Sequence, residues 1–458
     1  MPEDRTFFGH PRGLAYLLGA EAGGAFAYFG LQTTLTLYMT QTLLLPGHVE
    51  HVLGFGMYRT ALLSLFGPLT ATGVASQTFG LAMGLVYAFA ILGGLVADRW
   101  IGQRKAVIAG SLVLTFAYVL LIAEQTFLIS LVLMVVGAGL LKTSLIGQIG
   151  RLYTPDDDRR SRAFGLYLIA VNLGSVATPL ICGTLGERLG WSYGFAVMAV
   201  GMALGGLCYL AGLRHMPPDI TVSVSGGVAK APNLQKGQGR IVLALLVVML
   251  LNGLWSGVYN QAFNIFPIWA DAHVQRQVFG FLVPVTWFST LDGLLTIGGT
   301  ALAVRIWTRQ TVAGNTNDIR RLLVGFALAT AAFLVLTFGA FLGGPGKAPL
   351  IAELGFFVLV DLSVPWINTV VMTMISRDAP SAISSTMLGL FYLFVASGSL
   401  LTGWLGEFAD RMTMSSFWLL HAGLDAGALL LLLLAGAKLS QLLTAKKLTP
   451  SAMISNDA

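Results

Sequence analysis

The sequence predicts an all-α polytopic membrane protein with twelve transmembrane helices in two six-helix bundles. Three observations carry that expectation. Hydrophobic residues make up 55% of the 458-residue chain and charged residues only 10%, far below the roughly 25% charged residues of a soluble domain. Apolar runs of about 20 residues or more recur along the whole length, each long enough to cross a hydrocarbon core of about 30 Å as a helix. A single polar stretch, residues 214–240, rich in Pro, Gly, Ser and Lys, divides those runs six and six. The composition excludes a soluble enzyme.

Read against their polar breaks, the spans fall at residues 14–44, 68–98, 104–124, 128–150, 162–188 and 190–213, then at 241–266, 278–307, 322–344, 349–376, 380–405 and 414–436. Residues 1–213 thus form an N-terminal bundle, 214–240 a linker, 241–436 a C-terminal bundle and 437–458 a tail. No short apolar stretch with a small-residue cleavage site precedes the first span, so nothing resembles a removable signal peptide. A faint repeat, GGLVADRW at 93–100 and GGTALAVRIW at 298–307, agrees with duplication of a six-helix half. The 55 glycines suit close packing of membrane helices. Residues 45–67, longer than a hairpin connection needs, are expected to form an interfacial helix or a partial lid, the lipid-lying connector being the simpler reading.

Twelve spans put both termini on one side. On that side fall 21 of the 27 Lys and Arg, against 5 on the other, with Lys142 inside a span. This asymmetry predicts a multi-pass protein of the plasma (inner) membrane with both termini cytoplasmic. It also accounts for the net charge of +6 without nucleic acid. Cys182 and Cys208 lie in apolar runs and have neither disulfide nor metal spacing. The histidines are scattered, no glycine-rich loop follows a strand, and no cofactor or metal is expected.

An ionisable side chain near the bilayer centre costs about 2.5–3.5 kcal/mol even on lenient scales, so each one calls for a partner or a wet cavity. Four stand out: Glu21, Lys142, Asp292 and Asp361. At a rise of about 1.5 Å per residue, Glu21 lies about 10 Å and Lys142 about 12 Å from the cytoplasmic side. Asp292 lies about 21 Å down span 8 and Asp361 about 18 Å down span 10 from the outside. A cation in one bundle thus faces acids in the other. That suits a ligand carrying a carboxylate and an ammonium, bound near the midplane between two rocking halves. Plainer readings stand beside it. Glu21 and Lys142 also read as a buried ion pair, and Asp361, shortly before Pro365, as a cap for backbone N–H groups freed by that proline; Asp292, followed by Gly293, could do the same. Tyr28, Gln32, Tyr87, Asn172, Tyr259, Asn260 and Gln261 lie within spans, each as well suited to gluing helices as to touching a ligand.

The segment GGLVADRWIGQRK at 93–105 resembles the loop between helices 2 and 3 of the major facilitator superfamily. By that resemblance Asp98, Arg99 and Arg104 latch the cytoplasmic ends of the halves. Lys142 followed by FGLYLIAVNLGSVATPLICGTLGERLGWSYGFAV at 164–197 resembles the signature region of the proton-dependent oligopeptide transporter (peptide transporter) family. Further echoes are AYFG at 27–30, Tyr87 eleven residues before Asp98, YNQAFNIFPIWAD at 259–271, WFSTLDG at 287–293 and MLGLFYLFVASGS at 387–399. The resemblance implies major facilitator architecture, with Lys142 holding the substrate carboxylate and coupling protons. It also implies that Tyr87 and Asn172 line the peptide site and that Asp361 receives the peptide amine, given a gap of about one turn.

The chain departs from the family at charged positions. The helix 1 pattern Glu-x-x-Glu-Arg-Phe-x-Tyr-Tyr-Gly here begins at Glu21 and has Gly24 and Ala25 where the second acid and the arginine belong. Asn260 replaces the helix 7 glutamate, and Asp292 replaces a helix 8 asparagine. The expectation is a monomeric secondary transporter for di- or tripeptides or peptide-like zwitterions, its substrate site drawn from Tyr28, Gln32, Tyr87, Lys142, Asn172, Asn260, Asp292 and Asp361. Its protons would ride on Glu21, Asp292 or Asp361. The alternatives are an uncoupled facilitator or exporter of another amphipathic solute, and a membrane receptor that does not transport.

Overall fold

The computed structural model describes residues 7–154, 157–219, 238–312, 317–344 and 346–444. Most of the linker, 220–237, and the tail from 445 lie outside the described residues. Among the described residues, twelve helical spans follow in order, each long and apolar enough to cross a membrane: Arg12–Leu43, Ala71–Ile101, Gln103–Leu121, Glu124–Arg151, Arg159–Leu189, Trp191–Ala211, Gln238–His273, Trp287–Val312, Asp318–Gly343, Leu350–Asp378, Ser381–Asp410 and Met414–Leu443. They are numbered spans 1–12 below. Each span differs from the bounds expected from sequence at one end or both, and one shift matters for the site. Span 8 begins at Trp287, not at 278.

The residues before it are diverted. Two short strands, β1 (Gln277–Val278) and β2 (Phe281–Leu282), pair antiparallel across a tight turn in which Phe279 and Gly280 both take positive φ. Pro284 follows, and its missing N–H suits the start of a helix and not its interior. Asp292 therefore sits in the second turn of span 8, and its helical depth of about 21 Å counted from 278 is corrected by the eight or nine residues spent on the hairpin.

Within the first six spans the closest packing is of 3 on 4, 1 on 6, 1 on 5 and 2 on 4; within the last six it is of 9 on 12, 9 on 10, 11 on 7 and 8 on 10. The halves meet mainly where span 2 lies on span 11 and span 5 on span 8. Glycine makes the first of these crossings possible. A Cβ on Gly80 would stand 2.7 Å from the Ser399 carbonyl oxygen and 2.8 Å from Gly403 Cα, so the two backbones touch directly. Pro179 in span 5 and Pro365 in span 10 each open a π-helical turn, Pro179–Gly183 and Pro365–Thr369, because neither proline can supply the usual backbone donor.

The long connection after span 1 carries a helix, Phe55–Phe66, whose Met57 and Leu65 are largely exposed while Phe55 and Leu62 are buried. It is tied sideways, by Tyr58 to Thr78 at 2.8 Å, by Leu53 N–H to the Gln125 carbonyl at 3.0 Å, and by a His48–Glu124 pair at 2.9 Å. None of its residues lines the cavity described next.

Candidate functional site

A cavity of about 670 Å³ lies between the halves. Span 1 supplies Glu21, Tyr28 and Gln32, span 2 Tyr87, span 4 Lys142, span 5 Tyr167, span 7 Tyr259 and Asn260, and span 8 Asp292. It extends toward the side of the termini, where Ile146, Phe164, Met372 and Leu388 are part of its wall.

Lys142 is the cationic pole. Its ammonium lies 5.4 Å from the centre of the Tyr28 ring and 5.2 Å from that of Tyr87, a cation–π cradle made by three spans. It has no carboxylate within 4.0 Å among the described residues. Glu21, buried nearby, faces Lys142 and the Tyr167 hydroxyl without closing a direct ion pair. The simple reading of the two as a structural salt bridge therefore does not describe the fold. Gln32 Oε1 is buried without a hydrogen-bond partner and the Tyr28 hydroxyl has the Tyr87 side chain beside it but no well-formed hydrogen bond, so the Lys142 side of the cavity carries polar capacity that the protein itself does not fully use.

Asp292 is the anionic pole. The Tyr259 hydroxyl donates to its Oδ1 at 2.5 Å, and Tyr259 is itself stacked on Trp255 with ring centres 5.1 Å apart. Asp361 stands behind it, fully buried and off the cavity wall, with its carboxyl facing that of Asp292. Neither oxygen of Asp361 receives a donor. It thus does not cap the backbone at Pro365.

Two of the polar residues noted within the spans lie away from the cavity: Asn172, expected in the site, and Gln261, as well suited by sequence to gluing helices as to touching a ligand. Asn172 is off the wall and its amide donates to the Leu168 carbonyl one turn back at 2.8 Å. Gln261 is glue between spans 7 and 11, donating to the Thr402 carbonyl at 3.0 Å. Among the described residues, the loop with Asp98, Arg99 and Arg104 makes no hydrogen bond or ion pair to the second half in this conformation. Asp98 accepts from Gln103 at 3.0 Å, Arg104 holds the Met216 and Pro217 carbonyls, and the Arg104 N–H donates to Asp219 at 2.8 Å, so the loop grips the start of the linker.

Sequence reasoning missed the devices that close the far side. Glu187, at the end of span 5, accepts from Val285 N and Thr286 N at 2.9 Å each and from Thr286 Oγ1 at 2.7 Å, capping the start of span 8 across the gap between the halves. Trp287 Nε1 donates to Thr184 Oγ1 at 2.8 Å, and Arg188 lies 4.7 Å over the Phe281 ring. Ser76 donates to the Gly403 carbonyl at 2.9 Å and accepts from Asn264 at 2.6 Å, and Gln41 donates to Asp271 at 2.8 Å. Each contact joins one half to the other. An acid at a helix end looks like an ordinary topogenic residue, and only the Glu-Arg-Leu-Gly run before a new span hinted at it. The aromatic wall, including Tyr167, Trp255 and Tyr392, was equally hidden, since rings facing lipid and rings facing a cavity look alike in sequence.

Two helical bundles with a largely apolar cavity between them that carries opposite charges on facing walls, clasped on the far face and extending toward the side of the termini, define a membrane carrier of the alternating-access class. The chain belongs to the Major Facilitator Superfamily, whose family model matches residues 25–403. It is similar to the peptide transporter YePEPT of Yersinia enterocolitica subsp. palearctica serotype O:3 (strain YE-P4), 26% identical over 90% of this chain and 91% of that one. It is also similar to a di-/tripeptide transporter of Lactococcus lactis subsp. cremoris, 23% identical over 85% of this chain and 88% of that one. Among solved structures, the fold matches the peptide transporter POT in complex with sulfate, with TM-score 0.83, 22% identity and coverage of 96% of this chain and 97% of that one. It likewise matches a POT family transporter in complex with 5-aminolevulinic acid, with TM-score 0.81, 20% identity and coverage of 95% and 98%.

Proposed function

We propose that this chain is a secondary active transporter that takes up di- or tripeptides, or peptide-like zwitterions, by alternating access and with proton coupling. The observation that carries the reading is the placement of an unpaired ammonium, Lys142, and a carboxyl, Asp292, on the walls contributed by opposite halves to one cavity. A zwitterion bridges them: its carboxylate accepts from Lys142, which rests against two aromatic faces and closes no ion pair with the nearby Glu21, and its ammonium donates to Asp292. Charge-assisted hydrogen bonds of this kind are about twice as strong as neutral ones. Binding thereby ties the halves together across the gap that must close. Glu21, Tyr28, Gln32, Tyr87 and Asn260 complete the pocket, with the Tyr28 hydroxyl and the unpartnered Gln32 oxygen available to peptide groups. The names of the relatives support the substrate class, and 5-aminolevulinic acid, bound by one of the similar structures, is a compact zwitterion.

The excess of Lys and Arg on the side of the termini supports a plasma-membrane protein with cytoplasmic termini. The far side is then the outside, and this conformation, closed there, is the one that discharges substrate inward. The protein works as a monomer, since each chain carries both halves of its cavity. Counterflow of radiolabelled alanylalanine in proteoliposomes tests the reading: trans-stimulated exchange is expected for the natural chain, and its absence across a panel of dipeptides refutes the substrate class.

A further inference from the structure

The Asp292–Asp361 pair has a construction that substrate binding alone does not require. One carboxyl would suffice to meet an ammonium, yet a second stands behind it, cut off from the cavity and without a donor. Spans 7, 8 and 10 hold the two in place. Tyr259 fixes Asp292 at 2.5 Å, Trp255 stacks on Tyr259, and Trp255 Nε1 donates to Ser363 at 3.2 Å, two residues beyond Asp361. Span 5, packed on span 8, brings Ser175 and Val176 against Gly293 and contributes no titratable group there. The groups that act on the pair are the two carboxyls themselves and the Tyr259 hydroxyl; farther off, Glu353 is buried two turns up span 10, Glu187 caps the head of span 8, and Lys142 and Glu21 line the cavity. Two adjacent carboxylates shut away from water cannot both be ionised, whereas one proton between them turns repulsion into a hydrogen bond.

We infer that Asp292 and Asp361 hold the coupled proton between them, and that the substrate ammonium decides which of the two carries it; this rests on the zwitterion reading above. With an ammonium on Asp292, that carboxyl is ionised and the proton sits on Asp361, where no water reaches it. The substrate thereby seals the proton inside the carrier. When the ammonium leaves, the O–H bond on Asp361 breaks as one forms on Asp292 with the same proton, and from Asp292 the proton passes to a water of the open cavity. Coupling then needs no acid on span 7, where this chain has Asn260. Tyr259 acts as a positioning residue, biasing the proton through its bond to Asp292.

The test uses the full-length protein in proteoliposomes, with labelled alanylalanine, in two modes: counterflow without a pH gradient, and accumulation driven by an inwardly directed proton gradient. Asp361→Asn is expected to keep measurable counterflow while its accumulation ratio falls to about one. Asp361→Glu should recover accumulation, which separates proton carriage from mere packing. Tyr259→Phe should move the pH profile of accumulation while the protein stays monodisperse. Wild-type protein that exchanges dipeptide but never accumulates it on a proton gradient, or Asp361→Asn that accumulates to the wild-type ratio, overturns the inference while leaving the substrate reading intact. Absence of wild-type counterflow instead removes the substrate reading. Should the asparagine variant aggregate, an unmoved pH profile in Tyr259→Phe decides against the pair.

Discussion

Removing Glu187 should release the outer closure. Its carboxylate takes three donors from the start of span 8 at 2.7–2.9 Å, two of them backbone N–H groups that otherwise have no helical partner. Hydrogen bonds to a charged acceptor contribute about 1.5–3 kcal/mol each at best, but in the open state the same groups turn to water, so a net of about 2–4 kcal/mol for the cluster is reasonable. At 1.4 kcal/mol per decade, Glu187→Ala then shifts the closed-to-open ratio about 30- to 700-fold. A carrier that rests at about 99:1 closed would fall to between about three-quarters and one-tenth closed. Glu187→Gln keeps an acceptor and should give roughly half that free-energy change. The assay is pulsed spin–spin distance measurement between labels at Tyr193 and Phe279, both exposed on the far side and in opposite halves, after Cys182 and Cys208 are replaced. A second, longer distance should appear in the alanine variant and to a lesser degree in the glutamine one. Distance distributions identical in all three proteins would refute the assignment of Glu187 as the clasp.

Other perturbations address separate parts of the fold. Lys142→Gln should raise the half-saturating dipeptide concentration in counterflow about 10- to 150-fold, the weight of a lost charge-assisted contact, whereas a merely structural lysine would show its loss as poor yield and a lowered Tm. Gly80→Ala forces a methyl against Ser399 and Gly403; overpacking of about 1–3 kcal/mol should open the far side about 5- to 150-fold, read with the same spin labels. At the N-terminus, burial, with Arg162 and Arg159 nearby, holds the His10 imidazole below its ordinary range. The folded chain therefore binds that proton less readily than the unfolded one, so acidification through about pH 6.5 should weaken the docking of His10 on Tyr153. Hydrogen exchange of residues 7–12 should speed up as pH falls once intrinsic rates are corrected, and His10→Phe should abolish that dependence.

The architecture was legible because it is written in the commonest signal a membrane imposes, the length of an apolar run. The charges were legible for the same reason: Glu21, Lys142, Asp292 and Asp361 are conspicuous only because everything around them is apolar. Register is where this signal runs out. Residues 278–286 are apolar enough to count as span 8, yet a Phe-Gly turn and Pro284 fold them into a hairpin, and nothing in hydropathy separates a strand pair at a membrane surface from a helix inside it. That shift moved Asp292 along its helix without changing its partners. Asn172 shows the complementary failure, since a polar residue at a family position can still bond to its own helix when its face turns away from the cavity.

The Asp292–Asp361 pair joins the two lessons. Each acid could be found in the sequence, but their contact depends on how spans 8 and 10 cross, with Gly299 packed near the Asp361 carbonyl and Leu362. The carboxyls are brought together as a consequence of that helix packing. Their proximity has a cost that the rest of the site makes intelligible. Where the family pattern has a neutral amide on span 8 and an acid on span 7, this chain has the acid on span 8 and Asn260 on span 7, so the charge has moved between neighbouring helices of the same half. A carboxyl moved in this way still lines the cavity, still opposes Lys142, and gains in Asp361 a partner that water does not reach. On the reading proposed above, the acidic pole of the C-terminal half stands on span 8 and not on span 7, and Asp361 behind it is what would distinguish that pole from a simple anchor for an ammonium.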